Sequence, residues 1–153
     1  MLTSGLMQQR DEALFLDVDG VMEVPVCADD VDRAAKFYAR VFGFKTIFED
    51  GDKLRVLDVC GRQVILVFKR KAITETTEAS EGTIPAHDVA GESHFAMGID
   101  SEPRLEECIE RLAKLGIAIE SEARSPFGGR QLYFRDTENN LVELITRNVW
   151  PIY

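Results

Sequence analysis

Apolar residues recur along this chain at two spacings, one that suits helices and one that suits strands. Across 29–42, Val31, Ala34, Ala35, Tyr38, Val41 and Phe42 fall on one face of a 3.6-residue period. Asp29 or Asp30 can cap that helix, and Gly43 stands where a left-handed stop is needed. The pattern returns at 102–115, where Leu105, Cys108, Ile109, Leu112 and Leu115 share a face between Ser101 and Gly116. A strand-like run precedes each helix and three follow it. Around the first these are Val21–Cys27, Lys45–Glu49, Lys53–Cys60 and Gln63–Phe68; around the second, Ser93–Ile99, Ile117–Ala123, Arg130–Arg135 and Leu141–Thr146. Turn-forming residues at Asp50-Gly51, Gly61, Gly128-Gly129 and Glu138–Asn140 punctuate them.

The order strand–helix–strand–strand–strand therefore occurs twice. His94 follows Glu23 by 71 residues and Gly116 follows Gly43 by 73, a repeat with a small insertion. The predicted organisation is an arm at 1–19, a first module at 20–68, a linker or lid at 69–91, a second module at 92–147 and a tail at 148–153. The linker stretch is polar and rich in Thr, Glu and Ser, and a long structureless segment inside a compact domain is uncommon.

Composition then narrows the partners. The 153 residues carry 27 acidic and 18 basic side chains, a net charge of −9, with 45% hydrophobic and 29% charged residues. That balance is globular, and its sign argues against tracking nucleic-acid phosphates or an anionic membrane face. No apolar run approaches the roughly 20 residues of a membrane span, and the first twelve residues lack a secretory layout. Cys27, Cys60 and Cys108 form no Cys-x-x-Cys pair and suit reduced thiols. A cytoplasmic protein is the expectation.

Three stretches carry a family resemblance: Gly20–Phe44, with its Asp-Asp … Phe-Tyr … Gly-Phe helix; His94–Ile99; and Gly128–Leu144, with its Phe-Arg-Asp-x-x-x-Asn-x-x-Glu-Leu run. With the duplicated module order, they resemble the vicinal oxygen chelate superfamily of glyoxalases, bleomycin resistance proteins and extradiol dioxygenases. The resemblance covers about residues 20–147. It implies an α+β fold of two tandem βαβββ modules whose mixed sheets curl around a central cleft, and it implies a homodimer.

The resemblance also implies metal ligands at Glu23, His94 and Glu143, for a divalent ion such as Mn, Zn, Ni, Mg or Fe. Strand parity agrees with it: a cleft-facing Glu23 puts Met22, Val24 and Val26 on the helix side, and a cleft-facing His94 does the same for Phe95, Met97 and Ile99. A solvated Glu and a satisfied interior His are the plainer alternatives. A fourth family ligand is replaced by Leu66. Two carboxylates and one His suit Lewis-acid chemistry at least as well as the two-His, one-carboxylate iron site of the dioxygenases.

Other candidates follow. His87 reads as a base or substrate contact at the cleft mouth, or as an exposed loop histidine. Arg130 could clamp a carboxylate or phosphonate, or be a surface charge. Tyr133, Phe134 and Phe68 either line the cleft or pack in the core. Leu14–Val21 resembles the Asp-x-Asp-Gly motif of haloacid-dehalogenase-type phosphatases, but the two-module repeat that follows lacks that fold's alternating βα order. The expected function is a metal-dependent glyoxalase-like enzyme (lyase, isomerase or transferase) acting on a small oxygen-rich substrate, with Glu23 or Glu143 moving a proton. The competing expectation is a metal-free, drug-sequestering module of the bleomycin-resistance type, with extradiol dioxygenase third.

Overall fold

The computed structural model describes residues 21–78, 82–86 and 91–150. Each half builds its own four-stranded mixed sheet. The first contains β1 (Glu23–Ala28), β2 (Lys45–Asp50), β3 (Leu54–Val59) and β4 (Gln63–Lys69), in the order β1-β4-β3-β2, with helix α1 (Val31–Phe42) between β1 and β2. A short ladder follows, β5 (Thr77–Glu78) with β6 (Thr83–Ile84). The second sheet contains β7 (His94–Ile99), β8 (Ile119–Arg124), β9 (Arg130–Arg135) and β10 (Leu141–Thr146), in the order β7-β10-β9-β8, with α2 (Glu102–Lys114) after β7. In both sheets the first strand pairs parallel to the last and the other pairings are antiparallel. This is an α+β fold of two matched modules, and neither sheet closes on itself.

Local chemistry sets the helix ends. The Asp30 carboxylate accepts from Arg33 N at 2.9 Å, satisfying one of the amides a helix start leaves over. Gly43, at φ +73, turns the chain out of α1 in the left-handed region that glycine enters without a steric cost. Ser101 caps α2 in the same way through Arg104 N, with Pro103 in the first turn.

The core lies between the helices and the inner faces of both sheets. Val26, Leu57, Ile65 and Val67 meet Val31, Ala34 and Tyr38 of α1, and the cluster runs on into Leu105, Leu112, Leu132, Phe134, Val142 and Leu144. α1 is shared by the two halves: the Tyr38 ring lies 6.2 Å from Phe95, and Phe42 lies 6.3 Å from Phe134. Phe37, off the single apolar stripe predicted for this helix, is buried as well. It lines a hollow with Gly116, Ile117 and Asp136, so the second module covers a second face of α1.

A polar joint reinforces the junction. Tyr38 Oη donates to Asp136 Oδ2 at 2.8 Å, and Asn140 Nδ2 donates to the same oxygen at 2.8 Å. Asp136 Oδ1 accepts from the backbone N–H groups of Glu138 and Asn140, each at 2.8 Å. The Asn140 amide also bridges Cys27 O and Ser93 N. Glu138 accepts from Asp29 N at 2.9 Å and from Arg33 at 2.7 Å. The Asp-x-x-x-Asn spacing thus closes the β9–β10 turn, ties it to β1 and α1, and starts β10 at a fixed place.

Candidate functional site

Packing both helices inward leaves the opposite face of each sheet uncovered, and register decides which side chains stand there. In the second sheet Leu141 pairs with His94 and Arg135, Glu143 with Ala96 and Tyr133, and Ile145 with Gly98 and Gln131. His94, Glu143, Tyr133 and Gln131 therefore share the open face, while Phe95, Met97, Val142, Leu144 and Phe134 turn to the core. Ala96 and Gly98 keep the floor beside His94 low.

Four side chains converge there. His94 Nε2 lies 3.0 Å from Glu143 Oε2, and Gln131 Nε2 donates to Glu143 Oε1 at 3.0 Å. The Tyr133 ring centre is 6.2 Å from that of His94. Desolvation first, then the neighbouring Glu143 carboxylate, pushes the Tyr133 phenol above its ordinary value. The Glu143 side chain is 8% exposed and that of His94 53% exposed. A buried carboxylate held by Gln131 and facing an accessible imidazole is a pre-set pair of metal or proton ligands.

Glu23 stands elsewhere. It is exposed at the start of β1, on the open face of the first sheet, opposite Val64. His94 holds the equivalent register place opposite Leu141, which makes Leu66 the counterpart of Glu143. Leu66 lies in an apolar row with Pro25, Val56 and Phe48 across that face. Among the described residues no three His, Cys, Asp or Glu side chains converge tightly enough to hold an ion within one chain. Glu23 is therefore not brought to the His94–Glu143 pair.

Arg130 is not brought there either. The register that puts Gln131 and Tyr133 on the open face turns Arg130 toward α2, where it pairs with Glu106, and it also pairs at 2.9 Å with Glu122 of β8. Those ion pairs, ahead of desolvation, hold its guanidinium pKa up. His87, the arm at 1–19 and its Asp17 and Asp19 lie outside the described residues. Phe134 and Phe68 are buried. Gln131 and the Asp136–Asn140 joint carry site geometry that sequence reading passed over. The signal for Gln131 was the hairpin register, since a turn closed by Asp136 and Asn140 puts 131, 133 and 135 on the Glu143 face.

Comparison with known proteins gives a consistent picture. A family model described as the Glyoxalase/Bleomycin resistance protein/Dioxygenase superfamily matches residues 18–144. The chain is 27% identical over 128 residues to the fosfomycin resistance protein FosX of Listeria monocytogenes, covering 83% of this chain and 89% of that one. Its fold is similar to that of a lactoylglutathione lyase from Agrobacterium tumefaciens, with TM-score 0.79, 31% identity, and 89% and 99% of the two chains covered. It also aligns with a glyoxylase/bleomycin resistance protein/dioxygenase domain from Frankia sp. EAN1pec at TM-score 0.63 and 24% identity, covering 85% and 98%. The last similarity concerns the fold alone. No helix among the described residues is long and apolar enough to cross a membrane.

Proposed function

The chain belongs to the glyoxalase/bleomycin resistance protein/dioxygenase superfamily, and from that membership we propose a metal-dependent enzyme acting on a small, oxygen-rich substrate. The observation that carries the reading is the buried Glu143 carboxylate with His94 Nε2 3.0 Å from its Oε2, on an uncovered sheet face. Carboxylate oxygen and imidazole nitrogen are the donors that Mn²⁺, Zn²⁺, Ni²⁺, Mg²⁺ or Fe²⁺ accept, so the residues present fit such an ion. When bound, the ion supplies Lewis-acid stabilisation to two neighbouring substrate oxygens.

The remaining roles belong to the chain. Glu143 is held by Gln131 and anchors the site. The Tyr133 ring, 6.2 Å from that of His94, walls the substrate position beside the imidazole. Glu23, exposed and carrying a carboxylate, is the third candidate ligand and the group suited to move a proton. Because it stands on the other sheet, a second copy of the chain supplies it. A homodimer that lays the first sheet's open face over the second sheet's open face would also cover the Pro25–Leu66–Val56–Phe48 row.

This donor set, with two carboxylates and one His, favours lyase, isomerase or transferase chemistry over ring-cleaving oxygen chemistry. The fosfomycin and lactoylglutathione relatives are enzymes or resistance proteins by name, and both names are compatible with compact oxygen-bearing substrates. The test is a calorimetric titration of the protein with Mn²⁺ and Zn²⁺ beside its His94→Ala variant. Saturable binding that the variant loses supports the reading. Equal, negligible binding by both would remove it, and tight metal-independent binding of a cationic glycopeptide would put the drug-sequestering alternative in its place.

A further inference from the structure

The two oxygens of Glu143 are treated differently. Oε2 faces His94 Nε2, whereas Oε1 accepts from Gln131 Nε2 at 3.0 Å. Chemistry orients the second bond, because an ionised carboxylate only accepts and Gln131 must present its NH₂ group. Gln131 reaches Glu143 along the diagonal of the β9–β10 pair, since its directly opposed residue is Ile145. On its other side it opposes Ala123. Gln131 is half-buried on the open face, and its amide ends on the carboxylate.

We propose that Gln131 is a positioning residue: by holding Oε1 of Glu143 it confines the carboxylate to single-oxygen metal coordination through Oε2. The inference rests on the metal-site reading above. A carboxylate that uses both oxygens takes up two coordination positions, and a substrate that chelates through two oxygens needs two open ones. Holding Oε1 keeps one such position available, and hydrogen-bond partners of this kind orient the groups that ligate a metal.

Mn²⁺ binding reads this without any turnover. The loss of the free Mn²⁺ resonance gives occupancy, and water-proton relaxation counts the exchangeable waters on the bound ion. In Gln131→Leu the released carboxylate closes onto the ion, and the count falls by one relative to wild type. A merely structural role would not move that count. Gln131→Asn, whose amide is one methylene too short to reach, gives the same loss if the leucine variant does not fold. Unchanged water counts in both loaded variants would overturn the inference while leaving the metal site standing. A wild type that takes up no Mn²⁺ would overturn the metal reading itself, and this inference with it.

Discussion

Replacing Tyr38 with Phe tests whether the polar joint couples the two modules. The substitution removes one hydroxyl and leaves the ring among its neighbours Phe37 at 5.4 Å and Phe95 at 6.2 Å. The lost bond runs 2.8 Å to a carboxylate and is buried at both ends. Hydrogen bonds to charged groups contribute about 1.5–3 kcal/mol. Asp136 keeps three donors, from Asn140 Nδ2 and the two backbone amides, so it is not left unsatisfied. The expected loss is therefore about 2 kcal/mol, roughly a 1 M fall in the urea midpoint for a domain of this size. Asp136→Ala strips partners from Tyr38, Asn140 and two backbone amides together and costs about 4 kcal/mol. In the double variant Tyr38→Phe adds almost nothing, because its partner is already gone. Urea unfolding followed by circular dichroism measures all four proteins. A Tyr38→Phe loss under about 0.5 kcal/mol, or full additivity in the double variant, would refute the joint as a coupled unit.

Four further outcomes follow from the same geometry. Burial, then the Asp136 charge, pushes the Tyr38 phenol far above its ordinary value, so the folded state holds this proton where the unfolded chain has released it. That stability is fully present below about pH 10 and declines as pH rises beyond it; Tyr38→Phe flattens the alkaline slope in unfolding free energy, and an unchanged slope counts against the assignment. Gly129→Ala places a Cβ against the backbone of Asn148 and Val149, so the 125–129 turn must leave the end of β10 and the melting temperature drops by several degrees; an unshifted melt contradicts that contact. Metal uptake exchanges protons for the ion, so Mn²⁺ affinity weakens as pH is lowered; calorimetry in buffers of different ionisation enthalpy detects the protons released, and none would argue against a His–carboxylate site. Mixing Glu23→Ala with His94→Ala chains restores one intact site per mixed dimer when the ligands come from two copies, whereas metal titration of the mixture shows no recovery when they come from one.

Much of this architecture was legible because both helices keep a 3.6-residue apolar period and turn residues bound the strands. β9 and β10 begin and end where their sequence runs do, and α1 stops where Gly43 permits a left-handed turn. Phe37 was not legible, because a one-stripe reading assumes a helix packs against one neighbour and α1 packs against two. The family resemblance named His94 and Glu143 and strand parity agreed with it; the two stand together on one face. The direction of Arg130 was not legible from its place after two glycines, because the hairpin register set by the Asp136–Asn140 turn puts it on the α2 side. Glu23 shares strand parity and register place with His94 across the repeat, but alternation along a strand says only which face a side chain takes and not which other sheet lies across from it.

The central claim is that His94 and Glu143 hold a divalent ion, with Glu23 arriving from a second copy. A crystal soaked in Mn²⁺ and measured near the manganese edge tests it most directly. The account predicts one anomalous peak per chain, bounded by His94 Nε2, Glu143 Oε2 and a neighbouring copy's Glu23. A peak at other residues, or none at this pair in a fully soaked crystal, would contradict it.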